Sequence, residues 1–268
     1  MIDRCLHRAA FRTTALGLVL VASFTAERAS AYCRMTTQGG AQIGGAACVE
    51  KGEPLVWTTP CLSYAVDSRG SHWFENPDGT PNLAELESLV DQSFAAWQEA
   101  DCNGDTPNLI FKPLQASTCQ RAEFNTTGNV NTVAFLNPWK DPCAAPEDRA
   151  YDPFAFAVTV VWHNTSTGEI LDADMMINDQ LASPFNAGGP YADCPDSGCP
   201  PGSPGDADLR SIVTHEAGHF IGIGHSNVQD ATMFASAERV SVAKRTLAQD
   251  DIDAVCAIYP PGNLDQSC

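Results

Sequence analysis

The stretch His215-Glu216-Ala217-Gly218-His219-Phe220-Ile221-Gly222-Ile223-Gly224-His225-Ser226 decides how the remainder of the 268-residue chain is read. His215 and His219 are four apart, so on a helix their imidazoles project from one face, one above the other. Two nitrogens held in that way can grip one zinc ion. Glu216 is one step round the helix, placed to touch a metal-associated water rather than to ligate. Gly222 follows three residues after the second histidine, where positive φ would stop the helix and turn the chain sharply. The turn brings His225 back as a third ligand. Three protein ligands leave a fourth position open, the mark of a catalytic site rather than a structural one. A carboxylate beside such a water can take its proton, so Glu216 is a candidate general base.

HExxHxxGxxH, in the residues just quoted, resembles the signature of the metzincin zinc peptidases. Ser226, directly after the third histidine, resembles the matrixin branch, the matrix metalloproteinase type. Eight residues after His225 comes Met233, in Ala231-Thr232-Met233-Phe234-Ala235, which looks like the family's Met-turn, a methionine floor beneath the metal. The resemblance implies an α+β fold of metzincin type: a twisted mixed sheet, a zinc-binding helix, the Met-turn and a C-terminal helix. It implies a secreted zinc metalloendopeptidase, a hydrolase acting on protein or peptide substrates, with His215, His219 and His225 on the metal and Glu216 catalytic. Ser211 lies four residues before His215, a position that in the family shapes the depth of the main specificity pocket. With Phe234 and Ala235 it is the candidate pocket wall, and its small side chain suits long apolar substrate residues. The family has Tyr-Pro where this chain has Phe234-Ala235. The presence of Glu216 separates this reading from a zinc-holding binding module without catalysis.

Residues 1–31 read as a secretory signal: Arg4, Arg8 and Arg12 precede an apolar run from Ala15 to Phe24, and Ala29-Ser30-Ala31 forms an A-x-A site. The run is too short to span a bilayer, which takes roughly 20 residues. The whole chain carries −18, and with 1–31 removed 11 basic and 31 acidic residues leave −20. Such acidity argues against nucleic acid or an anionic membrane as partner. A secreted, extracellular, soluble monomer is expected. Ten of the eleven cysteines remain after the signal, an even number that implies up to five disulfides in an exported chain. Cys194–Cys199, across a Pro/Gly loop, is the local pairing expected. Residues 32–53 read as a disulfide-tied N-terminal extension or a short pro-segment, and 54–268 as the catalytic domain. A PRCGxPD switch, which the resemblance would bring, is not found in the sequence.

Pro54 to Asp67 is rich in β-formers and reads as a first strand. Asn82 to Ala100 reads as a helix with Leu83, Leu86, Val90, Phe94 and Trp97 on one face. Leu109–Phe111 and Val130–Leu136 read as strands. Phe154 to Trp162 alternates large and small, a strand with two distinct faces, and turns at 164–168 into a strand over Glu169–Asn178 that buries Leu171, Ala173, Met175 and Ile177. The pair resembles the edge hairpin that in matrixins receives substrate as an added strand. Asp206 or Asp208 would cap the zinc helix, and Thr246 with Gln249 would open the last one as a capping box.

Matrixins commonly hold a second, structural zinc on three His and one Asp. After the three catalytic histidines only His72 and His163 remain in the mature chain, so one zinc is expected. Asp172-Ala173-Asp174 stands where the family tends to show Asp-x-His, and oxygen ligands suit calcium better than zinc. Otherwise Asp172 and Asp174 are a solvated strand face.

Overall fold

The computed structural model describes residues 32–39, 48, 51–118, 121–141, 151–181, 190–198, 207–236, 241–262 and 268. The expected signal at 1–31 lies outside them. Five strands form one twisted sheet: β1 (Cys61–Val66), β2 (Ile110–Pro113), β3 (Thr132–Leu136), β4 (Ala157–His163) and β5 (Ile170–Asn178), in the order β2-β1-β3-β5-β4. The first four neighbours run parallel, and β4 is added antiparallel at the edge, with Val158 opposite Met176 and Trp162 opposite Asp172. Tyr191–Ala192 (β6) and Ala207–Asp208 (β7) pair in a small second sheet. Three helices complete the fold: α1 (Leu83–Gln98), α2 (Leu209–Phe220) and α3 (Gln249–Ile258). The α+β expectation therefore holds.

β3 is buried on both faces, as a central parallel strand should be. Val133 and Phe135 enter the main core with α1 and α2, while Ala134 and Leu136 join Trp139 and Met176 on the opposite side. Asn82 caps α1, its Oδ1 accepting from the Glu85 N–H and its Nδ2 donating to the Glu85 carboxylate at 2.6 Å. Leu86, Leu89, Val90, Phe94 and Trp97 bury one stripe of that helix, with Leu83 half-buried at its start.

Several expectations need correction. The first strand is Cys61–Val66 rather than the whole of 54–67, because Val56 forms only an isolated bridge to Glu169. β4 begins at Ala157, so Phe154 lies outside it and is 85% exposed, and all seven strand residues are half-buried, without the contrast of two faces. Both faces are partly covered, Ala157 and Val161 packing on the main core and Val158 on the second cluster. In β5, Ala173, Met175 and Ile177 enter the core, but Leu171 is 38% exposed: the pairing jumps from Trp162–Asp172 to His163–Ile170, and Leu171 is the extra residue of that bulge. Asp172 and Asp174 are buried, not solvated, because the chain at 121–132 covers their face. The last helix starts at Gln249 with Ala248 at its N-cap, not Thr246. Asp251, three residues on, accepts from the Ala248 N–H at 2.9 Å and supplies the cap from inside.

Residues 32–39 cross the turn after α2. Met35 N–H donates to the Gly222 carbonyl and Gly224 N–H to the Cys33 carbonyl, while Cys33 is bridged to Cys48. Cys61–Cys268 and Cys102–Cys256 are further disulfides, and Cys194 is also disulfide-bonded. Cys199, expected opposite it, lies outside the described residues, as do Cys119 and Cys143.

Candidate active site

The site is built on α2, and both ends of that helix are fixed by side chains from elsewhere. Asp208 caps the start, accepting from the Ser211 N–H at 2.8 Å. The same carboxylate accepts from Arg245 Nε at 2.7 Å, and Arg245 also reaches Asp193, Asp196 and the Cys194 carbonyl. At the far end Gly222 has φ +85°, as its position in the motif requires. Its N–H donates to the His219 carbonyl, and the Ile223 N–H donates to the Gly218 carbonyl, the two bonds of a Schellman turn. Any Cβ at Gly222 would stand 2.6 Å from the Leu55 carbonyl oxygen, so glycine is required twice over.

That turn brings the three imidazoles together, with one ring nitrogen from each lying within 4.8 Å of the others. His219 Nε2 and His225 Nε2 are 3.2 Å apart. Two nitrogens bound tetrahedrally at about 2.0–2.1 Å from zinc would be roughly 3.3 Å apart, so the spacing fits. His215 Nδ1 faces the Thr232 carbonyl at 2.7 Å and His219 Nδ1 faces the Ile223 carbonyl at 2.8 Å. A carbonyl only accepts, so each Nδ1 carries the proton and each Nε2 presents its lone pair. Burial pushes both histidines down, His215 well below its ordinary value and His219 to about 4, which keeps them neutral at pH 7. Among the described residues this is the one cluster of three metal-ligating side chains.

Glu216 lies beside this cluster, on a buried helix position. Its Oε2 accepts from the Thr159 hydroxyl at 2.6 Å, linking α2 to the edge strand β4. Burial pushes the Glu216 carboxyl up to about 7, against the pull of Thr159 and His225. A cation on the histidines would draw it back down. Met233 is fully buried beneath α2. Asp251 of α3 holds its segment, accepting from the Thr232 and Met233 N–H groups at 2.7 and 3.0 Å. A Cβ on Gly218 would sit 2.2 Å from the Met233 sulfur, so glycine inside HExxH lets helix and turn touch.

A cavity of 380 Å³ opens next to the histidines. Ser211, Phe234 and Ala235 all line it, with Ile212, His215 and Glu216. Sequence reasoning missed two residues here. Thr159 carries no signal beyond being a threonine in a strand. Lys244 also lines the cavity, donating to the Thr232 carbonyl at 2.9 Å and to the Phe234 carbonyl, and burial pushes it down to about 8. A lone lysine eleven residues past the Met-turn could have raised the question.

The family model described as matrixin, Peptidase_M10, matches residues 75–260. The chain belongs to the matrixin family. Among curated relatives of this matrixin, the metalloendoproteinase 5-MMP of Arabidopsis thaliana is 44% identical over 52 residues, covering 19% of this chain and 14% of that protein. Matrix metalloproteinase-27 of Tupaia belangeri is 44% identical over 51 residues, 19% of this chain and 10% of that protein. Karilysin of Tannerella forsythia is 31% identical over 128 residues, 45% of this chain and 26% of that protein. The matched stretches thus span about a quarter or less of these relatives' own lengths. No helix among the described residues is long and apolar enough to cross a membrane.

Proposed function

We propose that this matrixin is a secreted zinc endopeptidase. The observation that carries the reading is the convergence of three imidazoles beside a buried carboxylate at the mouth of a cleft. The names of the relatives, endoproteinases and metalloproteinases, lean the same way. His215, His219 and His225 would hold one zinc. Zinc bound there supplies a Lewis acid that activates water and polarises the scissile carbonyl. Glu216 takes the proton of the attacking water on its carboxylate and delivers it to the departing amine. Thr159 anchors one oxygen of that carboxylate, which leaves Oε1 to handle the proton. β4, without a partner on its outer edge among the described residues, offers main-chain groups to an extended substrate laid antiparallel to it. Residues 32–53 serve as an integral strap rather than a removable pro-segment, a reading supported by the hydrogen bonds that Cys33 and Met35 make to the turn that positions His225. Residues 1–31 would direct export, and 54–268 would form the catalytic domain, acting as a monomer outside the cell. The oxygen pair of Asp172 and Asp174 suits calcium rather than a second zinc.

Hydrolysis of a quenched generic peptide, with and without a chelator, tests the reading. Glu216→Ala is expected to keep its zinc and to lose a factor of about 10²–10⁴ in turnover, as for loss of a general base. His225→Ala should instead lose metal. Near wild-type turnover in the first variant, or full zinc content in the second, would overturn the assignments.

A further inference from the structure

The cleft holds a cation that neither the zinc ligands nor the general base requires. Lys244 follows the Met-turn by eleven residues and puts its ammonium into the wall of the 380 Å³ cavity. Two of its three N–H donors go to the Thr232 and Phe234 carbonyls. Among the described residues it forms no ion pair. The surrounding wall is otherwise small or apolar: Ser211, Ile212, Phe234 and Ala235. Of the carboxylates lining the cavity, Glu216 belongs to the histidine cluster and is bonded to Thr159, and Asp152 is exposed and accepts from the Phe154 N–H. A half-buried ammonium that keeps a third N–H donor, with the Phe234 ring 5.8 Å away and Asp251 acting on it from beyond ion-pair distance, is a binding element for an anionic or acceptor-bearing side chain.

The direction of β4 says which substrate residue meets it. β4 runs from Ala157 to His163, with Thr159 against Glu216. The cavity adjoins Phe154 to Ala157, before Thr159 in the chain. A substrate laid antiparallel to β4 therefore sends its C-terminal half past the cavity. The side chain that enters belongs to the residue just after the scissile bond, on the departing-amine side.

We propose that Lys244 is a specificity-determining residue and that this matrixin cleaves preferentially before glutamate, rather than before the long apolar residues that a small Ser211 alone would suggest. The inference rests on the endopeptidase reading. Charge-assisted hydrogen bonds contribute roughly 1.5–3 kcal/mol, equivalent to a tenfold or greater preference. An uncharged isostere of the same size forfeits most of that.

Three synthetic peptides, identical except for Glu, Gln or Leu after the scissile bond, are given to the zinc-loaded full chain, and kcat/KM is measured with cleavage points read by mass spectrometry. The Glu peptide is expected to exceed the Gln peptide about tenfold, and Lys244→Met to bring that ratio to about one. Leu preferred over Glu in the wild type overturns the proposal without needing any variant. So does Lys244→Met slowing all three peptides equally, which would make the lysine only a strap between two carbonyls. Cleavage of none of the three or of a generic peptide mixture defeats the endopeptidase reading itself, and this inference with it.

Discussion

Gly218→Ala tests how closely the zinc helix and the Met-turn are packed. Alanine is normally the better helix former, by about 1 kcal/mol over glycine. Here the new Cβ would stand 2.2 Å from Met233 Sδ, 3.0 Å from Met233 Cε and 2.7 Å from Trp97 Cζ2. Comfortable carbon contacts lie at roughly 3.5–4.0 Å, so each neighbour must retreat by about half an ångström to more than one. The methionine end can rotate. Trp97 cannot follow easily, because it is fully buried and its Nε1 donates to the Thr214 carbonyl at 2.8 Å. Overpacking a dense core costs about 1–3 kcal/mol, and with a pinned tryptophan the upper end applies. Less the propensity gain, the net loss is about 2 kcal/mol. For a domain of this size that lowers Tm by about 4–8 °C. The melt is run in chelator for both proteins, so that zinc linkage does not enter. Combining Gly218→Ala with Met233→Ala should give a coupling of about 1 kcal/mol or more, the new methyl occupying vacated space. A Tm unchanged or raised in the single variant, or simple additivity in the double, would refute the packing argument.

The buried pair Asp172 and Asp174 sets a pH dependence of stability. Burial pushes both carboxyls above their ordinary range, Asp174 further because it also faces Asp172. The folded state then binds more protons than the unfolded one, so stability is full below about pH 4 and falls as pH rises through the raised values. Thermal melts in chelator should show that decline, Asp174→Asn should flatten it, and added calcium should offset it at the alkaline end; a pH-independent wild type would contradict the burial argument. Removing the Cys33–Cys48 bridge by Cys33→Ser with Cys48→Ser opens a 15-residue loop and should cost about 3 kcal/mol. Because Cys33 also holds Gly224, zinc affinity should fall with it, and an unchanged zinc Kd would uncouple the strap from His225.

What was legible in the sequence is what is local. Helix spacing, a glycine forced to positive φ and a third histidine are all contained in eleven residues, and the structure assembles them as spaced. Asp208 was legible for the same reason, as one of two candidate caps with Asp206. The misreadings concern residues whose neighbours come from far along the chain. Thr159 meets Glu216 across 57 residues. Alternation in β5 put Asp172 and Asp174 outward, and they do point away from the main core, but the loop bearing Glu123 and Asn129 folds over them. Thr246 has the residue pattern of a capping box. Asp251 outweighs it because one carboxylate serves Ala248, Thr232 and Met233 together, three N–H groups that no local cap could reach.

The turn that carries His225 is fixed by how the end of α2 is satisfied. A helix leaves its last four carbonyls unpaired. Here those of Gly218 and His219 are taken by the N–H groups of Ile223 and Gly222, that of Phe220 by Trp57 Nε1 at 2.8 Å, and that of Ile221 by the Tyr259 hydroxyl at 2.9 Å. Trp57 precedes the sheet and Tyr259 follows α3, so the turn carrying His225 is clamped from both ends of the domain. The ring orientations are fixed in the same manner, by the Thr232 and Ile223 carbonyls on the two Nδ1 atoms. Thr232 is itself held by Asp251, and its carbonyl also receives Lys244. One peptide unit therefore orients the His215 imidazole and the Lys244 ammonium, which ties the selectivity proposed for Lys244 to the segment that supports the proposed metal site.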